Sequence, residues 1–93
     1  MSQEELIAVT TFCTSHNIEV TFIRELAAYD LVEIINRDKE EFFCSSHLPE
    51  VEKMMRLYYD LEINMEGLNA VHHLLKRIDE LQHEVTRLRN RLP

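Results

Sequence analysis

The sequence predicts a mainly α protein: a helix-turn-helix, a small β-hairpin wing, a third helix and a C-terminal coiled-coil helix. Three observations carry that prediction. One glycine and two prolines among 93 residues leave few places where a helix is easily broken. Apolar residues recur at three- and four-residue spacing through most of the chain. The last segment repeats Val71, Leu74, Ile78, Leu81, Val85, Leu88 and Leu92 in an alternating three-four heptad pattern.

The stretch "ELIAVTTFCTSHNI" sets Leu6, Val9, Phe12, Cys13 and His16 on one face of a short amphipathic helix, with Asn17 as a left-handed stop. "EVTFIRELAAYDLV" resumes with Phe22, Ile23, Leu26 and Ala27 on one face, so the pair outlines a helix-turn-helix. The period then changes. Leu31, Val32, Ile34 and Ile35 make one β-prone run and Phe42, Phe43 and Cys44 another, with Asn36-Arg37-Asp38-Lys39 as the turn of the wing. A third helix follows, capped by Ser45 or Ser46, with Pro49 in its first turn and a stripe of Leu48, Val51, Met54, Met55, Tyr58 and Leu61. Such a Met and Tyr stripe is core. Asn64 caps the next helix, with Gly67 near its start.

In the heptad, Val71, Ile78, Val85 and Leu92 take position a and Leu74, Leu81 and Leu88 position d, with polar residues between. From Val71 to Leu92 the stripe spans about 33 Å. That projects past a globule of the preceding residues and calls for a second chain. The expected organisation is a winged helix-turn-helix domain over 1–65 and a dimerisation helix over 66–93. The expected assembly is a homodimer, whose parallel or antiparallel pairing the pattern leaves open.

Composition narrows the function. Residues 1–45 carry three basic side chains (Arg24, Arg37, Lys39) against nine acidic ones, whereas residues 46–93 carry seven against eight. An acidic front half repels phosphate backbones and attracts basic partners. The start "MSQEELIAVT" has glutamates where a secretory signal has lysine or arginine, and two cysteines are few, so the expected address is cytoplasmic. No apolar run approaches the roughly 18 residues of a membrane span.

One echo invites a metal. "FCTSH" (12–16) and "FCSSH" (43–47) each hold a Cys-x-x-His spacing, so Cys13, His16, Cys44 and His47 are the candidate zinc ligands. There is no Cys-x-x-Cys knuckle, and Cys13 falls beside Phe12 on an apolar face, where cysteine behaves as a small hydrophobe. No metal or other cofactor is expected. Catalysis is not expected either. A single glycine leaves no phosphate-cradling loop, the adjacent His72 and His73 point about 100° apart, and Glu40-Glu41 or Glu50 and Glu52 read as solvated acids.

The order of parts resembles the MerR-type regulators. Their second helix carries an Ile-Arg pair, here Ile23-Arg24, and ends in Gly-Leu, here Asp30-Leu31, where Asp tolerates the left-handed conformation. The aromatic and acidic residues that follow the arginine in those proteins are replaced by Glu25, Leu26 and Ala27, so most of the phosphate-contacting surface is missing. The closer resemblance is to the MerR-like chaperone modulator family, CbpM. It rests on "FC" at 12–13, "HNIEV" at 16–20, "LVE" at 31–33, "LPEVEKMMRLYYDLEIN" at 48–64 and "EGL" followed by "HLLKRIDELQ". Arg56, Leu57, Asp60, Leu61, Ile63 and Asn64 form its most specific part.

The resemblance implies a small dimeric inhibitor that binds the J domain of a DnaJ/CbpA-type co-chaperone and blocks its access to DnaK. J domains engage DnaK through a basic helix, which an acidic front half can contest. By charge and expected exposure, the partner-binding residues are Glu19, Glu25, Asp30 and Glu33, followed by Asp60 and Glu62. DNA is the runner-up partner, as for a MerR-type transcription regulator with weak or degenerate DNA binding.

Overall fold

The computed structural model describes residues 5–92, so Glu4 of the acidic start lies outside the described residues. Strand β1 (Leu6–Ala8) leads into helices α1 (Val9–His16) and α2 (Val20–Ala28). The hairpin β2 (Ile35–Arg37) and β3 (Glu40–Cys44) follows. A single 3-10 turn (Ser45–His47) then precedes α3 (Leu48–Tyr59) and the long α4 (Met65–Arg89).

The helix stops are made without glycine. Asn17 is left-handed (φ 55°), with its N–H and that of Ile18 returning to the carbonyls of Thr14 and Cys13. Asp30 (φ 59°) ends α2 in the same way: its N–H donates to Ala27 and that of Leu31 donates to Leu26 at 2.9 Å. This doubly bonded ending satisfies carbonyls that a helix end otherwise leaves open. Leu31 and Leu26, one on each side of it, are both buried. At the hairpin tip Asp38 (φ 51°) and Lys39 (φ 67°) are both left-handed, the backbone of a two-residue turn that matches the twist of its strands. Glu62 (φ 55°) lies in the connection between α3 and α4.

Four sequence expectations are corrected. Residues 6–8 form a strand and the first helix begins only at Val9. β3 pairs with β2 along one edge and with β1 along the other, Ile7 lying opposite Phe43. The main-chain groups of Leu6–Ala8 are thus satisfied across strands rather than along a helix, and Glu5 extends the pairing by accepting the Ser45 N–H at 2.8 Å. Leu31 and Val32 are buried in a loop, and the wing's first strand starts at Ile35, because the chain must first leave the α2 stop. Neither Ser45 nor Ser46 caps α3. The 3-10 turn that contains them runs directly into the helix, and His47 at the cap position makes no capping side-chain bond. Leu61 also falls beyond α3, 65% exposed, outside the stripe expected for it.

The core gathers Val9, Phe12 and Cys13 of α1, Phe22, Ile23 and Leu26 of α2, Phe43 of β3, Val51 and Met54 of α3, and Met65 and Leu68 of α4. Only the first turns of α4 take part in it. Asn64 caps that helix by accepting the Gly67 N–H at 2.8 Å. A Cβ at Gly67 would meet the Ile63 side chain at 2.7 Å, which is why the chain's one glycine stands there. Beyond Val71 the helix leaves the globule, and the molecule measures 56 × 38 × 20 Å. Phe43 is fully buried, so Phe43→Ala is expected to lower unfolding stability by about 3–5 kcal/mol in urea titration.

Candidate partner-binding surfaces

The second helix of a helix-turn-helix is the element that reads DNA, and α2 has one cation. That cation is held inside the chain. Arg24 donates from Nε (3.2 Å) and from a terminal nitrogen (3.0 Å) to a single Glu41 carboxylate oxygen on β3. The bond ties the reading helix to the wing and neutralises the charge that would meet a phosphate. An exposed pair of this kind adds little to stability. Its effect is electrostatic.

The six predicted partner-binding carboxylates, Glu19, Glu25, Asp30, Glu33, Asp60 and Glu62, are all exposed. They do not form one patch. Asp30 and Glu33 line a shallow depression with His47 below the end of α2. Asp60 lines a separate cleft between the α1–α2 turn (Asn17, Ile18) and the end of α3 (Met55, Tyr59). Glu19 belongs with Asp60, because its backbone lies against the Tyr59 phenol. The Glu19 carboxylate accepts from the Thr21 hydroxyl at 3.2 Å.

The charge-based reading missed the aromatic component of this second surface. Phe22, Tyr58 and Tyr59 pack ring against ring at 4.9–5.3 Å, Phe22 buried and Tyr59 42% exposed. Partial burial pushes the Tyr59 phenol above its ordinary value near 10, and the Glu19 backbone pulls it back the other way. The adjacent tyrosines of "LYYD" were the available signal.

The two Phe-Cys-x-Ser-His stretches do meet, but through their phenylalanines. Phe12 and Phe43 stand edge-to-face with ring centroids 5.4 Å apart, and Phe12 also stacks on His16 at 4.1 Å. The histidines diverge: His16 faces Glu52 of α3 at 3.9 Å, while His47 lies by Asp30 and Glu33. Zinc binds thiolate. Burial pushes the Cys13 thiol above its ordinary value near 9, the wrong direction for a ligand, and its Sγ lies 3.8 Å from the Glu19 carbonyl. Among the described residues, no three His, Cys, Asp or Glu side chains are grouped to hold a metal ion.

Of the seven seam residues, Val71 is half-buried at the edge of the globule. Leu74, Ile78, Leu81, Val85, Leu88 and Leu92 are each 48–72% exposed. Arg77–Glu80 and Arg87–Glu84 pairs flank the stripe on the same helix. No described helix is long and apolar enough to cross a membrane.

A core shared by α1, α2, α3 and the start of α4, a helix-turn-helix whose reading helix carries one neutralised arginine, a three-stranded sheet with its wing hairpin and a projecting helix define a winged helix-turn-helix regulatory protein. The chain belongs to the MerR HTH regulatory protein family, whose model matches residues 7–90. Within it the chain is CbpM-like. It is 25% identical over 83 residues to the chaperone modulatory protein CbpM of Pseudomonas entomophila strain L48, covering 88% of this chain and 82% of that protein. It is 26% identical over the same shares to those of Pseudomonas putida strains W619 and KT2440. No solved structure matches the chain.

If the Cys-x-x-His echo is only structural, melting followed by circular dichroism is expected to be unchanged by a chelator and by added zinc. A fall in melting temperature with chelator would reopen the metal reading.

Proposed function

We propose that this chain is a chaperone modulator that binds the J domain of a DnaJ/CbpA-type co-chaperone and inhibits its action on DnaK. It works by binding and masking, without catalysis, in the cytoplasm. The observation that carries the proposal is the Arg24–Glu41 pair. It leaves the reading helix of a DNA-binding fold with no free cation in a domain whose first 45 residues hold nine acids. A surface of that sign fits a basic protein helix better than a phosphate backbone. The named activity of the CbpM relatives supports the same reading.

The second reading, a MerR-type transcription regulator with weak or degenerate DNA binding, draws on the family match alone. Calorimetric titration with the J domain of a DnaJ-type protein from the same genome, at two salt concentrations, separates the two. Binding that weakens as salt rises is the expected outcome, because the attraction acts over a Debye length of about 8 Å at physiological ionic strength. No heat, together with a shifted DNA fragment, would favour the transcription regulator.

The same proposal makes the molecule a homodimer over residues 66–93, joined by a coiled coil along Val71, Leu74, Ile78, Leu81, Val85, Leu88 and Leu92. Six of the seven seam residues are 48–72% exposed in the single chain. Leu81→Asp would put an unpaired charge at a d position. Sedimentation is expected to show a monomer for that variant and a dimer for the parent, and a surviving dimer would place the interface elsewhere.

A further inference from the structure

Two separated surfaces could receive a basic partner, and we infer that the one between the α1–α2 turn and the end of α3, centred on Tyr59, is where the co-chaperone's basic helix docks. This rests on the function proposed above and specifies the site for it. Tyr59 and Leu61 expose 42% and 65% of their surfaces at this end of α3, and Phe22 and Tyr58 support the Tyr59 ring from beneath. The ring backs an open cleft with Asn17 and Ile18 on one wall and Met55, Arg56 and Asp60 on the other.

Charge selects the occupant. Glu19 sits against Tyr59, Asp60 is in the cleft wall, Glu62 follows two residues later, and Glu52 lies one helical turn before Arg56. At the cleft itself Asp60 stands beside Arg56, and His16, also in the lining, is met by Glu52 at 3.9 Å, so carboxylates outnumber the one guanidinium. An amphipathic helix bearing lysine or arginine finds an aromatic face for its aliphatic stems and cations, with carboxylates within reach of its charged ends. An acidic segment would be repelled, and a purely apolar one would leave the carboxylates desolvated and unpaired.

The alternative depression offers less. Of its apolar lining, Leu31 and Val32 are buried and present little surface. Tyr29, 37% exposed, is not part of that lining.

The test compares two charge-reversal pairs in calorimetric titration against the same J domain. All four positions are exposed, and Asp30, being left-handed, is the one where lysine adds backbone strain. Glu19→Lys with Asp60→Lys is expected to weaken binding at least tenfold, and Tyr59→Ala at least fivefold. Asp30→Lys with Glu33→Lys should stay within about threefold of the parent. Melting curves check that each variant is folded, and Asp60→Asn gives a milder second route to the same loss.

Equal losses in both pairs, or a larger loss from Asp30→Lys with Glu33→Lys, would overturn this docking site while leaving J-domain binding intact. No binding by the parent protein would overturn the proposed function and the site with it.

Discussion

The edge-to-face contact of Phe12 with Phe43 is the joint on which the fold turns. Phe43 is the buried residue of the central strand, held by β1 on one side and β2 on the other. Phe12 belongs to the first helix of the helix-turn-helix. The pair is worth about 0.5–1.5 kcal/mol beyond the area it buries. Its larger consequence is geometric. It fixes the sheet against the helices, so Glu41, two residues before Phe43, comes within reach of Arg24 on α2. In a domain this small, with little buried surface to spare, one such contact sets the relative position of most other elements.

How much of this was legible in the sequence depended on whether a feature is local. Helix stops at Asn17 and Asp30, the Asn64 cap and the long last helix are written in a few neighbouring residues, and each lies where the pattern put it. Strand β1 was not legible, because Leu6–Ala8 reads as the first turn of a helix until β3, more than thirty residues later, offers an edge to pair with. The extra start given to the wing at Leu31 failed for a related reason: β-branched residues satisfy a strand pattern equally well when they are buried in a loop. The predicted carboxylates could be read as exposed, but their division between two surfaces could not, since it follows from how α3 crosses the helix-turn-helix. The repeated Phe-Cys-x-Ser-His was conspicuous and its meaning was tertiary: its aromatic members meet and its histidines part.

The proposed function implies that a DNA-reading fold can change its partner without losing its shape. Here the backbone of the helix-turn-helix is kept, down to the left-handed residue that ends α2, while the side chains around Arg24 are acidic or apolar. The wing supplies the carboxylate that holds the remaining arginine. The scaffold and the electrostatics are separable layers of the sequence, and a change of partner needs to alter only the second.

The left-handed positions carry a further implication. Asn17, Asp30, Asp38, Lys39 and Glu62 hold a backbone conformation that glycine adopts without steric penalty, and the chain uses glycine at none of them. Lys39 and Glu62 bear the most of that penalty, since Asn and Asp tolerate the conformation better. The molecule thus sits below the stability its own backbone permits, and the shortfall lies in its connections rather than its core. Room for thermal improvement is concentrated in a few turns, where a change of residue would leave every buried contact in place.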